Sequence, residues 1–369
     1  MGHADFAHSL REDAAGAVHD QRAAGVRALV DGEDQTHTKM LHMARIGVIG
    51  GGAFGTAMAC VVRRSGHEVL IWAREPEVAE DINRQGVNPH FLPGVRLPEG
   101  IRATNDMAQA AAGAEFLLLA PPAQRMREIA GRLQPLLAPG TPVVSCSKGL
   151  ERGSLALMPE VLAETLPQSP AAVLSGPSFA KEIAIDLPCG VALASADLGL
   201  ARRLAALIAN PRFGVQANQD PVGTAFGGVM KNVVAIASGV LAGRKLGENA
   251  RATMVTVGLA EAVRLGLARG ARRETFDGLA GIGDMMLTAN SLQSRNTSLG
   301  FALGEGRKLE EVLAGRKEVT EGAFSAEAVV TLARQLGVDM PVSQAVDQLL
   351  NHGAPLAATV ARLTAAFGG

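Results

Sequence analysis

No tyrosine occurs in this sequence of 369 residues, and it holds only one tryptophan, three cysteines and eight histidines. Each scarcity excludes something. Without a phenol, no oxidoreductase site of the Ser/Tyr/Lys kind can operate. Cys60, Cys146 and Cys189 are too few and too widely spaced for a four-cysteine zinc site or a disulfide scaffold. Five histidines (His3, His8, His19, His37 and His42) precede residue 43, leaving His67, His90 and His352 for the rest. An excess of one charge is also missing. With 35 Lys and Arg against 36 Asp and Glu, the net charge is −1, and nothing points to nucleic acid as a partner. The longest uncharged run, Ile46 to Val62, falls short of a membrane span and is broken by Gly50, Gly51, Gly52 and Gly55. No secretory leader is visible, and with so few cysteines the expected compartment is a reducing cytoplasm.

Glycine, by contrast, is plentiful. Its 43 residues exceed the roughly 7% of average proteins, which suggests backbone approaching a ligand or helices packing closely. The length suits two domains, and 47% apolar residues suffice for two cores. Residues 1–42 differ from the remainder. They are polar and histidine-rich, and seven acids against four Lys and Arg make a mitochondrial transit peptide a poor match. They read as an N-terminal extension expected to be disordered, with Met43 as an alternative start.

From Ala44 onward, short apolar strands alternate with helices. Strands are expected at 45–49, 68–72, 116–119 and 142–145. Helices are expected at 54–65, 76–85 and 123–137. Two further strands, at 172–175 and 190–193, extend what should be a parallel sheet covered on both faces. After Asp220 the strand signals fade and helices are expected at 222–242, 250–268, 309–314, 326–336 and 343–350. The stretch Val229–Leu241 is apolar on all faces and predicts a helix buried in a helical domain. The expected architecture is therefore a Rossmann-type, doubly wound α/β domain over 43–220 followed by an all-α domain over 221–369. The ligand cleft should lie between them, at the C-terminal ends of the strands.

Gly50-Gly51-Gly52-Ala53-Phe54-Gly55 fits the dinucleotide fingerprint and stands directly after a strand and before a helix. Gly50 permits the tight turn, Gly52 lets the pyrophosphate approach the backbone, and Gly55 lets helix and strand pack closely. About 20 residues on, where an NAD site usually carries an acid, stands Arg74. A guanidinium there can pair with a 2′-phosphate and favours NADP. Glu75 beside it keeps NAD open, and Arg74 also reads as an ordinary surface residue.

Five further segments gather polar residues among glycine and alanine: Ser147–Glu151, Ser175–Ala180, Met230–Val233, Gly281–Asp284 and Ser294–Asn296. Together with the glycine loop, and in this order, they resemble the bacterial NAD(P)-dependent glycerol-3-phosphate dehydrogenase family over residues 44 to 365. The resemblance implies a 6-phosphogluconate-dehydrogenase-like fold. It also implies reversible reduction of dihydroxyacetone phosphate to sn-glycerol 3-phosphate for phospholipid synthesis, and a homodimer. Lys231 would be the catalytic acid/base. Arg295 and Asn296 would contact the substrate phosphate, and Gly176 and Ser178 the substrate. Ala53, Phe54, Ala180, Arg295, Val319 and Glu321 would contact the cofactor. Two departures stand out: Phe54 replaces the usual tryptophan, and Ala289 replaces a common cysteine.

The residues support this chemistry by their own nature. Hydride reduction of a ketone leaves an alkoxide that must be protonated. With tyrosine absent and no late histidine in a glycine-rich motif, lysine is the remaining donor. Lys231 lies in the most apolar helix, where desolvation should pull its pKa toward neutrality; a snorkelling or salt-bridged lysine is the plainer alternative. Asp284 could hydrogen-bond Lys231 and hold it, or simply cap a helix. Ser294 can cap a helix whose backbone amides, with Arg295, hold a phosphate; a capped surface helix is the alternative. Lys148 follows a strand end facing the cleft, where it could touch both substrate and nicotinamide, or be a loop lysine. No metal is needed. Two rivals remain: another two-domain dehydrogenase of the 6-phosphogluconate or β-hydroxyacid type, which would take carboxylate substrates, and a non-catalytic NAD(P) sensor, which would need only the glycine loop.

Overall fold

The computed structural model describes residues 43–314 and 321–368, apart from the side chains of Glu321 and Ala323. The expected extension, residues 1–42, lies outside the described residues, as does Val319.

The first half alternates as expected: β1 (Arg45–Ile49), α1 (Ala53–Arg64), β2 (Glu68–Trp72), α2 (Pro76–Gln85), β3 (Ile101–Thr104), α3 (Met107–Ala111), β4 (Phe116–Leu119), α4 (Met126–Leu133), β5 (Val143–Ser145), α5 (Met158–Thr165), β6 (Ala171–Ser175), α6 (Ala180–Ala184), β7 (Cys189–Ala194), α7 (Leu198–Ile208) and β8 (Phe213–Asn218). The eight strands form one sheet in the order β3-β2-β1-β4-β5-β6-β7-β8. The central strands are apolar throughout because helices cover both faces. Phe116, Leu117, Leu118 and Leu119 of β4 are all fully buried. At the end of β2, the Trp72 indole donates to Asn105 O at 3.1 Å, and the Arg132 guanidinium lies 5.3 Å from its ring centre.

Three expectations need correction. The sheet is not wholly parallel, since β7 runs antiparallel to β6. Only the five-residue α6 lies between them, a helix of about 7.5 Å, too short to carry the chain back along the sheet. The expected helix 123–137 is shorter at both ends: 3-10 turns at Ala123–Arg125 and Gln134–Leu136 flank α4, the second containing Pro135. Strands β3 and β8 went unforeseen. They are the two edges of the sheet, half-exposed, so their sequences IRAT and FGVQAN lack the continuous apolar run of a central strand.

The second half is helical: α8 (Pro221–Gly243), α9 (Gly247–Ala268), α10 (Arg273–Phe276), a π-turn (Leu279–Gly283), α11 (Asp284–Ala289), α12 (Arg295–Gly304), α13 (Leu309–Ala314), α14 (Glu321–Leu336), α15 (Pro341–Asn351) and α16 (Leu356–Ala365). Asp220 starts α8. Its Oδ1 accepts from Gly223 N at 2.8 Å, and its Oδ2 from Arg272 N at 2.8 Å and Thr275 Oγ1 at 2.6 Å. Helix α8 is long and apolar enough to cross a membrane, yet 89% of its most apolar stretch is buried inside the molecule, as a core helix should be. Glycines let α12 lie directly on α8: a methyl at Gly239 would collide with Thr297 O, and one at Gly300 with Ile236 O. The core around α8 is shared between the halves, for Leu150, Leu155, Leu157, Val173 and Ala194 pack there with Phe226, Val229 and Met230.

Candidate active site

The turn between β1 and α1 is built for close approach. Gly50 has φ of +127°, a conformation that disfavours any side chain, and its N–H donates to Trp72 O at 3.0 Å. Gly52 caps α1 without any side-chain acceptor for the first-turn amides, and a methyl there would meet no atom within 4 Å. Gly55 lies against Gly50 O, too close for a Cβ. An open, amide-lined helix N-terminus at a strand end fits a dinucleotide pyrophosphate. Ala53 and Phe54 begin α1, partly buried against the sheet core. Arg74 follows β2 at the same end of the sheet. Its guanidinium is bound to its neighbour: Nε and Nη2 donate to Glu75 Oε1 at 2.9 and 2.5 Å.

The loops after β5 and β6 bring further residues to this edge, and α8 and α11 supply the opposite wall. Lys231 Nζ donates to Asp284 Oδ1 at 2.6 Å, and Lys148 Nζ donates to Asp284 Oδ2 at 2.6 Å. Asp284 is fully buried, while the two lysines keep 13% and 14% of their side-chain surface. Gly228, one turn before Lys231 on α8, makes this possible. A methyl there would stand 3.1 Å from Lys148 Cγ and 2.9 Å from Ser175 Oγ. Lys148 also donates to Gly176 O at 3.3 Å, and Ser178 Oγ donates to the same oxygen at 2.8 Å.

The cluster sets its own charges. Burial pulls Lys231 down to about 8; Asp284 opposes that pull and the Lys148 ammonium adds to it. Burial alone would raise the Asp284 carboxyl, but Lys148 and Lys231 outweigh it and hold it below its ordinary range. The site therefore holds an ionised carboxylate between two lysine side chains, with burial loosening the proton of Lys231.

Beside the cluster, Ser294 caps α12, its Oγ accepting from Thr297 N at 3.2 Å, and Arg295 is the first helical residue. Asn296 Nδ2 donates to Asn232 Oδ1 at 2.9 Å. Asn296 Oδ1 and Ser175 Oγ are buried with no hydrogen-bond partner among the described residues. Such polar atoms suit a site that receives a polar ligand. Ala180 begins α6. Glu321 begins α14, but its side chain, like Val319, lies outside the described residues.

Lys148, Lys231, Asp284 and Gly176 are thus joined by hydrogen bonds, while Arg74 stands apart after β2, bonded to Glu75. Asp284 is not a helix cap: the π-turn delivers it as the first residue of α11, facing the lysines. Three features escaped the sequence reading: the sharing of Asp284 by Lys148, the Asn232–Asn296 pair, and Thr288, whose Oγ1 donates to Asp284 Oδ1 at 3.3 Å. The i,i+4 spacing of Asp284 and Thr288 was a usable signal.

Both halves of the chain resemble known proteins. Residues 45–201 match the N-terminal model, and residues 220–361 the C-terminal model, of NAD-dependent glycerol-3-phosphate dehydrogenase. The glycerol-3-phosphate dehydrogenase (NAD(P)+) of Rhodospirillum rubrum is 52% identical over 306 residues, covering 83% of this chain and 88% of that protein. The protein of the same name from Parvibaculum lavamentivorans is 50% identical over 319 residues, covering 86% and 96%. The crystal structure of glycerol-3-phosphate dehydrogenase from Coxiella burnetii superimposes with a TM-score of 0.83 at 37% identity, covering 87% of this chain and 99% of that one. With both halves matched in order, the chain belongs to the NAD-dependent glycerol-3-phosphate dehydrogenase family.

Proposed function

We propose that this chain is an NAD(P)H-dependent glycerol-3-phosphate dehydrogenase that reduces dihydroxyacetone phosphate reversibly to sn-glycerol 3-phosphate, in the cytoplasm and for phospholipid synthesis. The observation that carries the reading is the Lys231–Asp284–Lys148 cluster, set between the sheet edge and α8. Residues 43–220 serve as the cofactor domain and 221–369 as the substrate domain, a division supported by the confinement of all described strands to the first. The family resemblance supports a homodimer, which sedimentation would test.

Bound NAD(P)H supplies the hydride. Gly50, Gly52 and Gly55 leave room for its pyrophosphate at the start of α1, where the amides of Ala53 and Phe54 point outward. Arg74 gives up its bond to Glu75 to hold a 2′-phosphate, and Glu75 suits a ribose hydroxyl instead, so both cofactors are accepted. Ala180, Val319 and Glu321 complete the cofactor wall. Ser294, Arg295 and Asn296, at the start of α12, hold the substrate phosphate, and Gly176 and Ser178 line its path. Lys231 gives a proton from Nζ to the ketone oxygen as negative charge develops there, and takes it back in the reverse direction. Asp284 keeps Lys231 in place. Lys148 adds positive charge beside the developing alkoxide.

A rate assay with dihydroxyacetone phosphate, comparing NADPH with NADH, tests the reading. Turnover is expected with both. Activity only on carboxylate substrates would replace it with a hydroxyacid dehydrogenase. Lys231→Ala should lower turnover by at least about a hundredfold while cofactor still binds; near-normal turnover would sink the mechanism.

A further inference from the structure

Glu151 closes the motif Ser147–Glu151, yet the mechanism above leaves it without a task. It stands three residues after Lys148, in the loop between β5 and α5, and it is the most firmly held acid there. Arg127 of α4 grips it with two parallel bonds, Nε to Oε1 and Nη2 to Oε2, each 2.8 Å, and Ser154 Oγ donates to Oε2 at 2.6 Å. Only 15% of the Glu151 side chain is exposed, and the Arg127 guanidinium holds its carboxyl below the usual range. Such a bidentate pair fixes direction as well as distance.

The rest of the loop is braced from the same side. Ser147 Oγ donates to Pro121 O, Gln124 Nε2 donates to Leu150 O at 2.8 Å, and Arg152 N donates to Gln124 Oε1 at 3.0 Å. A methyl at Gly149 would stand 2.7 Å from Ala123 Cβ. On its other side the loop enters the helical core through Leu150, Leu155 and Leu157. Leu155 does so at φ of +58°, a left-handed conformation a leucine adopts only under constraint. Lys148 thus hangs from a loop fastened at both faces. Glu151 is its tightest charged fastening, since the other, Arg152 to Glu327 at 3.6 Å, joins two exposed side chains.

We propose that Glu151, clamped by Arg127, is a positioning residue that holds Lys148 on Asp284. The proposal rests on the roles assigned above to Lys148 and Lys231. It has a consequence that a purely structural brace would lack. The charged groups acting on Lys231 are Asp284 of α11, which raises its pKa, and Lys148 of the loop, which lowers it. Cys189, at the start of β7, senses Lys148 and Asp284 as well, but burial pushes its thiol up to about 11, so it stays neutral through the relevant range. If Lys148 swings away, Lys231 loses a repelling neighbour and stays protonated to higher pH.

The experiment is the pH dependence of kcat/KM for dihydroxyacetone phosphate reduction by the full chain, with melting temperatures measured alongside. Lys148→Met and Glu151→Gln should both move the alkaline limb upward, by roughly half a unit or more. Glu164→Gln, which removes only the outer, exposed partner of Arg127, should leave it in place. Arg127→Gln reads the same fastening from the other side and serves if Glu151→Gln does not fold. A Glu151→Gln limb superimposed on the wild type, whatever its melting temperature, overturns the proposal while leaving the mechanism standing if Lys148→Met still shifts. If Lys148→Met does not shift either, the role of Lys148 fails and the proposal fails with it.

Discussion

Two lysines share one carboxylate at Asp284, each donating to a different oxygen at 2.6 Å. Replacing Asp284 by Asn leaves two lysines facing each other with no counter-charge, and breaking a buried pair from one side typically costs about 3–5 kcal/mol. A lower melting temperature and a turnover loss of at least about a hundredfold are expected; wild-type kinetics in Asp284→Asn would remove its orienting role. The direction of the Lys231 shift gives a second test. Reduction needs the protonated amine, so its rate should fall as pH rises through about 8, whereas oxidation needs the free amine and should rise through the same range. A pH-independent rate in both directions would count against Lys231 as the proton carrier. At Arg74 the ion pair with Glu75 must open for a 2′-phosphate. Arg74→Ala should therefore weaken NADPH far more than NADH in fluorescence titrations, and equal losses would exclude the 2′-phosphate role. Lys231 was legible in the sequence because a charge inside an apolar helix calls for a reason. The tie from Lys148 to Asp284 was not, because it joins residues 136 apart and depends on how the strand edge meets α8.

At the scale of elements, glycine works in two opposite ways. On α8 and α12, Gly239 and Gly300 allow backbone to touch backbone, and a methyl at Gly239 would press on Thr297 O and Phe301 N. Gly239→Ala should destabilise by about 1–3 kcal/mol, the usual range for overpacking, with a visibly lower melting temperature. Gly131 sits on the exposed face of α4 with no atom within 4 Å of a would-be Cβ. Gly131→Ala should stabilise by about 0.5–1 kcal/mol, and the pair of melting curves separates packing glycines from idle ones. Composition announced an excess of glycine but not which residues did which work. The same limit applies to the strands. Central β1, β2 and β4 were readable as apolar runs; β3 and β8, alternating at the edges, were not. The antiparallel turn of β7 followed from the shortness of α6, a tertiary matter that local periodicity does not carry.

At the scale of the whole molecule, the two halves are not independent. Leu150, Leu155 and Leu157 belong by sequence to the α/β half and by packing to the core around α8. Asp220, at the junction, binds both the start of α8 and the segment 272–275. Calorimetry should accordingly give one cooperative transition for residues 43–369, and a fragment ending at 220 should expose those leucines and fail to fold stably. Two well-separated transitions would show that the shared core contributes little. The division near residue 220 was legible because strand signals end there; the mutual dependence was not, since it arises from a loop whose three leucines looked unremarkable in the sequence. Trp72 has a use of another kind. With no tyrosine anywhere in the chain, ultraviolet emission comes almost wholly from this one indole, fixed by Asn105 and Arg132 two residues before Arg74. The molecule thus carries a built-in optical reporter beside the glycine turn proposed to hold the cofactor. Indole emission overlaps the absorption of a reduced nicotinamide, so the quenching on mixing would follow occupancy directly, without a label and without turnover.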